Sequence, residues 1–266
     1  MKLNIFFILI AVGLLAGGFC SYNCFSEHRL VSIPVIVSGN ESEPVVHEID
    51  YLPGKTGEMV YHRFFTLSYN AAHKQANWVY YSPCIGKEGN EIRRTNDFRE
   101  DYMVASGSAK PSDYVKSGYD RGHLCPAGDM TQSVEAMSET FYMSNMSPQV
   151  PGFNRGIWKS LEEQVRKWGK EEQIHVVTGP VFENEKGKIG ESRVTIPGYY
   201  YKVIYSPARK QMIAFVLPNE KSNKKFTDHI VSVDSVENFT GIDFFVHLPD
   251  TLENRLEAKS DYMKWQ

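Results

Sequence analysis

Two polar sets stand out along the chain. The first is Tyr119-Asp120-Arg121-Gly122-His123; the second runs from Asn145 through Met146, Ser147 and Pro148 to Gln149, then continues with Asn154, Trp158 and Glu162. Their residue types suit hydrolysis of a phosphodiester. That reaction needs an activated water, a cation to hold the electrophile, and guanidinium groups for the charge that develops on the phosphate oxygens. Either set alone is a weak signal, whereas both in this order point to a nuclease.

His123 is the natural general base near neutral pH. It must offer one ring nitrogen to water while an acceptor, such as a backbone carbonyl, holds the other. Gly122 before it leaves room for a substrate backbone. The competing reading makes His123 a structural histidine. Asn154 can give its amide oxygen to a hard cation such as Mg²⁺, which keeps several of its waters. Glu162, two helical turns on, can hold one of those waters. The competing readings make Asn154 a helix N-cap and Glu162 the i,i+4 partner of Arg166. Arg121 sits beside the base, and Arg94 lies in the run Arg93 to Asp101; both can bind phosphate oxygens with a planar fork. Asp120 reads as a scaffold for the loop or for metal-bound waters.

The elements that must position these residues follow from periodicity. The clearest helix spans 154–168, where Ile157, Trp158, Leu161, Val165 and Trp168 form one apolar stripe. Pro151-Gly152 sets a turn before it and Gly169 ends it. Further helices are expected over 134–141 and 251–259. Strands are expected over 62–69, 78–82, 174–178, 194–196, 199–205 and 212–217, the last two joined by a turn at 206–209. Mixed strands and helices imply an α+β fold with a mainly antiparallel central sheet flanked by helices.

The chain resembles the DNA/RNA non-specific endonucleases, the Serratia nuclease and endonuclease G type, from about Val45 to about Leu256. Asp120-Arg121-Gly122-His123 matches the first motif of that family, and Asn145, Gln149, Asn154, Trp158 and Glu162 match the second with the same gaps. The resemblance implies a ββα-metal (His-Me finger) site with His123 as general base and Asn154 as the direct Mg²⁺ ligand. It also implies that Glu162 holds metal-bound water, with Asp120 acting through water too. Asn145 would support the site, and Arg94, Arg121 and Arg166 would serve phosphate binding and charge stabilisation. Mn²⁺ would substitute for Mg²⁺, and DNA and RNA would both be substrates.

Length and composition are those of one soluble domain of 266 residues. Lys2 and the apolar run Ile5–Leu15 read as a signal peptide over 1–20, an uncleaved anchor being the other reading. Residues 21–44 read as a linker or loose arm and 45–266 as the endonuclease domain, exported to the periplasm or outside. No membrane partner is expected once the signal is cleaved. The net charge of −3 excludes a uniformly basic binder, but only the strip facing the phosphates need be positive. Between Arg155 and Lys170 there are five Lys/Arg against two Glu. Cys84 and Cys125 could pair in an exported protein or remain buried thiols. Two rival functions stay open: a nucleic-acid-binding relative without activity, and a thiol or metal-dependent hydrolase of another substrate such as a small phosphodiester, the thiol reading resting on Cys125.

Overall fold

The computed structural model describes residues 51–87 and 92–266, together with the backbone of residues 31–32 and 46–47. The segment 1–20 and most of 21–44 lie outside the described residues, as does the signal-peptide reading. In chain order the strands and helices are β1 (Val31–Ser32), β2 (Val46–His47), β3 (Glu58–Tyr61), β4 (Thr66–Asn70), β5 (Gln75–Tyr81), β6 (Asp120–His123), α1 (Val134–Glu139) and β7 (Met146–Gln149). There follow α2 (Lys159–Glu171), β8 (His175–Val181), β9 (Lys188–Ile189), β10 (Val194–Thr195), β11 (Tyr199–Ser206), β12 (Gln211–Pro218), β13 (Ile230–Val231), α3 (Val233–Thr240) and α4 (Asp250–Glu257).

The central sheet has seven strands in the order β13-β12-β11-β8-β5-β4-β3, all antiparallel. The expected α+β architecture is therefore present. Strand β11, Tyr-Tyr-Tyr-Lys-Val-Ile-Tyr-Ser, is buried on both faces because helices cover both. On one face Tyr200, Ile204, Ile213, Phe215 and Leu217 pack with Trp158, Leu161, Val165 and Trp168 of the long helix. On the other, Tyr201, Val203, Met212 and Ala214 pack with Val233 and Val236 of α3 and Leu256 of α4. Alternation along each strand sends successive side chains to opposite layers.

Several boundaries differ from expectation for local reasons. The stretch 62–69 is not one strand: His62 N donates to Phe65 O, and the chain turns between β3 and β4. The long helix begins at Pro151, not after it, and runs through Gly169 to Glu171. Gly169 does not end the helix; a Cβ there would lie 2.9 Å from Pro83 Cβ, so glycine serves a close helix–loop approach. The helix α3 had too short an apolar stripe to be seen. Among the described residues, no helix is long and apolar enough to cross a membrane.

Candidate active site

Strands β6 and β7 form a separate antiparallel pair in the register Asp120↔Gln149, Gly122↔Ser147 and His123↔Met146. The chain leaves β7 and enters the helical segment at Pro151 at once. This brings Asp120, at the start of β6, against the first turns of that helix. Asn154 Nδ2 donates to Asp120 Oδ2 at 2.9 Å, and Arg155 grips the same carboxylate through Nε at 2.8 Å and Nη2 at 2.6 Å. Burial pushes Asp120 up, but Arg155 and Asn154 outweigh it and hold the carboxyl below the usual range.

Asn154 is not an N-cap. It lies inside a π-helical stretch, Phe153–Trp158, broken at Gly156, whose φ of −110° and ψ of −111° are non-helical. Such single turns occur often at functional sites. With its amide nitrogen held by Asp120, the amide oxygen is the group left for the cleft.

His123 ends β6 and is 8 % exposed, boxed edge-on by Phe141 at 4.9 Å and Phe98 at 5.8 Å. Its Nε2 is buried and has no hydrogen-bond partner. The backbone of Arg121 holds the ring, which leaves Nδ1 as the bonded nitrogen. Burial first, and Arg94 second, push the imidazole down to about 3, so it is neutral at neutral pH. Gly122 does not leave space for substrate: a Cβ there would lie 2.2 Å from Gln149, whose side chain fills the gap.

A cleft of about 390 Å³ collects Arg94, Arg121, His123, Asn154, Glu162 and Arg166, with Arg155 and Lys159 at its rim. Arg94 lies over the Phe141 ring at 4.7 Å, and Arg121 lies over Phe98 at 4.8 Å while donating to Pro111 O. Arg94, not Arg93, lines the cleft. Arg166 is held by Asp129 Oδ1 at 2.8 Å and by Gly128 O at 3.0 Å. Asn145 is fully buried and does not line the cleft. Its amide accepts from Cys125 N and donates to Cys125 O and Thr140 O, clamping the loop after His123. The structure thus places it behind the cleft, where its contacts position the loop.

Beneath the cleft lies a buried polar layer that sequence reasoning missed. Lys202 Nζ, from β11, lies 3.3 Å from Tyr81 Oη and 4.9 Å from the Trp158 ring centroid. Tyr81 in turn donates to Asp129 Oδ2. Burial lowers Lys202, against the pull of Glu162 and Asp129. Burial likewise pushes Glu162 up to about 7, opposed first by Lys202. The available signal was a lone charge in an otherwise apolar strand.

The thiols do not pair with each other. Cys125 is free and buried, whereas Cys84 is disulfide-bonded. Burial pushes the Cys125 thiol far up, which argues against a nucleophile. The donors that do face the cleft, an amide oxygen and a carboxylate on one helix, are the hard oxygen ligands that suit Mg²⁺ with retained waters.

A family model described as DNA/RNA non-specific endonuclease matches residues 47–251. A nuclease of Nostoc sp. is 36 % identical over 214 residues, 74 % of this chain and 76 % of the relative. A nuclease of Serratia marcescens is 31 % identical over 255 residues, 88 % of this chain and 95 % of the relative. The crystal structure of an EndoG/EndoGI complex, concerned with EndoG inhibition, superposes with a TM-score of 0.67 at 31 % identity. It covers 76 % of this chain and 90 % of that one.

Proposed function

From membership of the DNA/RNA non-specific endonuclease family, to which this chain belongs as a metal-dependent endonuclease, we propose Mg²⁺-dependent hydrolysis of phosphodiester bonds in both DNA and RNA. The observation that carries this reading is the buried, unpartnered Nε2 of His123, a residue that lines the same cleft as Asn154, Glu162, Arg94, Arg121 and Arg166. The neutral imidazole takes a proton from water at Nε2 while Arg121 O holds Nδ1–H and stabilises the imidazolium that results. The hydroxide character so generated is directed at phosphorus. Arg94, Arg121 and Arg166 hold non-bridging oxygens and meet their growing charge, a role for planar forks in a partly desolvated cleft. Asn154 would bind Mg²⁺ directly through its amide oxygen, with Glu162 and Asp120 reaching it through water or through Asn154. Bound there, the ion would polarise the phosphate and neutralise the leaving oxygen.

The cleft presents arginines suited to phosphate oxygens, so phosphate contacts should dominate binding and sequence specificity should be low. The apolar run Ile5–Leu15 supports export to the periplasm or beyond, and the disulfide at Cys84 fits an oxidising compartment. The test is incubation of the purified protein with plasmid and with RNA, in Mg²⁺ and in EDTA. Cleavage of both, lost in EDTA and indifferent to thiol alkylation, is the expected result. Alkylation-sensitive or chelator-resistant turnover would refute it.

A further inference from the structure

At the far end of α2 from the cleft, the β11–β12 turn, the last turn of α4 and the C-terminal turn Tyr262–Trp265 enclose a hollow of about 410 Å³. Its walls carry Arg209, Lys210, Arg255, Lys259 and Lys264 against one acid, Asp261. Arg209 is already neutralised by Glu171 and Glu172 and lies over the Trp265 ring. The other four cations are exposed, and among the described residues none forms a salt bridge. Asp261 is occupied by the backbone N–H of Met263. Helix-end electrostatics account for Arg255, in the last turn of α4, and in part for Lys264, in the short C-terminal turn, but not for Lys210 or Lys259. Four uncompensated cations around one hollow, in a chain of net charge −3, make it a local attractor for a polyanion.

The hollow and the cleft adjoin opposite ends of one helix. Glu171 and Glu172, which hold Arg209, lie at the end of the helix that carries Asn154 in its first turns. From Asn154 to Lys170 the helix rises ~24 Å at 1.5 Å per residue. Its exposed stripe between them is Arg155, Lys159, Glu163, Lys167 and Lys170, with the single acid paired to Lys159. Successive base pairs of B-form DNA rise about 3.4 Å along the duplex axis, so a duplex lying along this helix would pass about seven base pairs between Asn154 and the helix end that abuts the hollow.

We propose that this hollow is a second phosphate-backbone site, holding the same nucleic acid about seven base pairs from the bond being cut, with Lys210, Arg255, Lys259 and Lys264 as its contacts. The proposal rests on the nuclease reading above. The triple variant Lys210→Gln, Lys259→Gln, Lys264→Gln tests it, since all three side chains are exposed and their replacement leaves the core intact. A duplex of about 30 base pairs spans cleft and hollow, whereas a tetranucleotide reaches only the cleft. On the duplex, KM should rise and the dependence of log affinity on log salt should become shallower by ~2.7, at ~0.9 for each phosphate no longer neutralised. On the tetranucleotide, kcat/KM should stay at the wild-type value. An unchanged salt slope on the duplex, or an equal loss on both substrates, would overturn the second site. If the wild-type protein cleaves neither substrate, the nuclease reading falls and takes this proposal with it; cleavage with an unaltered slope removes the second site alone.

Discussion

Asp120→Ala isolates the orientation of the metal-binding amide. Asn154 can present either end of its amide to the cleft, and the bond from Nδ2 to Asp120 Oδ2 at 2.9 Å selects the oxygen. A hydrogen bond to an ionised group contributes about 1.5–3 kcal/mol. At about 1.4 kcal/mol per decade this is a bias of about 10–150-fold toward the oxygen-out rotamer. Removing it should weaken Mg²⁺ by a similar factor, with kcat at saturating Mg²⁺ close to wild type because His123 and the arginines are untouched. Asp120→Asn keeps an acceptor without the charge, so its loss should be smaller. Arg155 shares the carboxylate, but its side chain is 72 % exposed, and exposed ion pairs contribute little. Arg155→Ala should therefore leave Mg²⁺ affinity nearly unchanged. The assay is initial rate against Mg²⁺ concentration for the four proteins, with calorimetric titration of Mg²⁺ as the independent readout. Equal losses in Asp120→Ala and Arg155→Ala, or none in Asp120→Ala, would refute the orientation argument.

Three further outcomes follow from the same geometry. His123→Ala should lower kcat by about 10²–10⁴ with the circular dichroism spectrum retained; a kcat near wild type would remove the base. Gly122→Ala should cost about 1–3 kcal/mol of stability by overpacking against Gln149, and an unmoved urea midpoint would show that Gln149 swings aside. Glu257, 5 % exposed, is pushed up to about 8 from 4.5 by burial and then by Glu237, Glu253, Asp234 and Asp243. Because its folded pKa lies above the unfolded one, the fold gains stability as pH falls from 8 to 4.5 and loses it toward alkali. The full shift would approach 5 kcal/mol, but the neighbouring carboxylates are partly solvated, so about 2 kcal/mol is expected. Glu257→Gln should be more stable than wild type by that amount at pH 9 and equal to it at pH 4.5. Parallel urea curves at the two pH values would contradict the assignment.

Much of the fold was legible because local pattern and tertiary outcome agree. The stripe Ile157, Trp158, Leu161, Val165 and Trp168 announced the long helix, and the runs at 199–205 and 212–217 announced the central hairpin, since burial on both faces demands apolar continuity. The failures have physical causes. A single strand over 62–69 ignored the turn that His62 and Phe65 close, which no glycine or proline marks. Gly169 looked like a stop because its close contact is with Pro83, remote in sequence. Of the site, the residue types were visible and their division of labour was not. Asn145 and Asp120 carry the same polar signature as Asn154, but only register decides which faces the cleft: Asn145 is spent on the backbone of Cys125 and Thr140, and Asp120 on Asn154 itself.

The layer under the cleft shows why such information is absent from local sequence. Lys202 comes from β11, Tyr81 from β5, Asp129 from the loop after β6, and Glu162 and Arg166 from α2. Two cations face two acids and a phenol across four elements, each of them only partly compensated by any one partner. Replacing such a cluster with packed hydrocarbon would commonly stabilise a protein as well or better, so its presence is not explained by stability. Its consequence is geometric. A slide of α2 by one turn along the sheet would take Glu162 away from Lys202 and Arg166 away from Asp129, leaving that pair only each other in a site closed to water. Losing a partner of a buried charge costs several kilocalories per mole. An apolar interface of Trp158, Leu161 and Val165 imposes no such penalty, because one ridge of aliphatic groups packs nearly as well as the next. The buried charges therefore fix the one helix position in which Glu162 and Arg166 line the same cleft as His123.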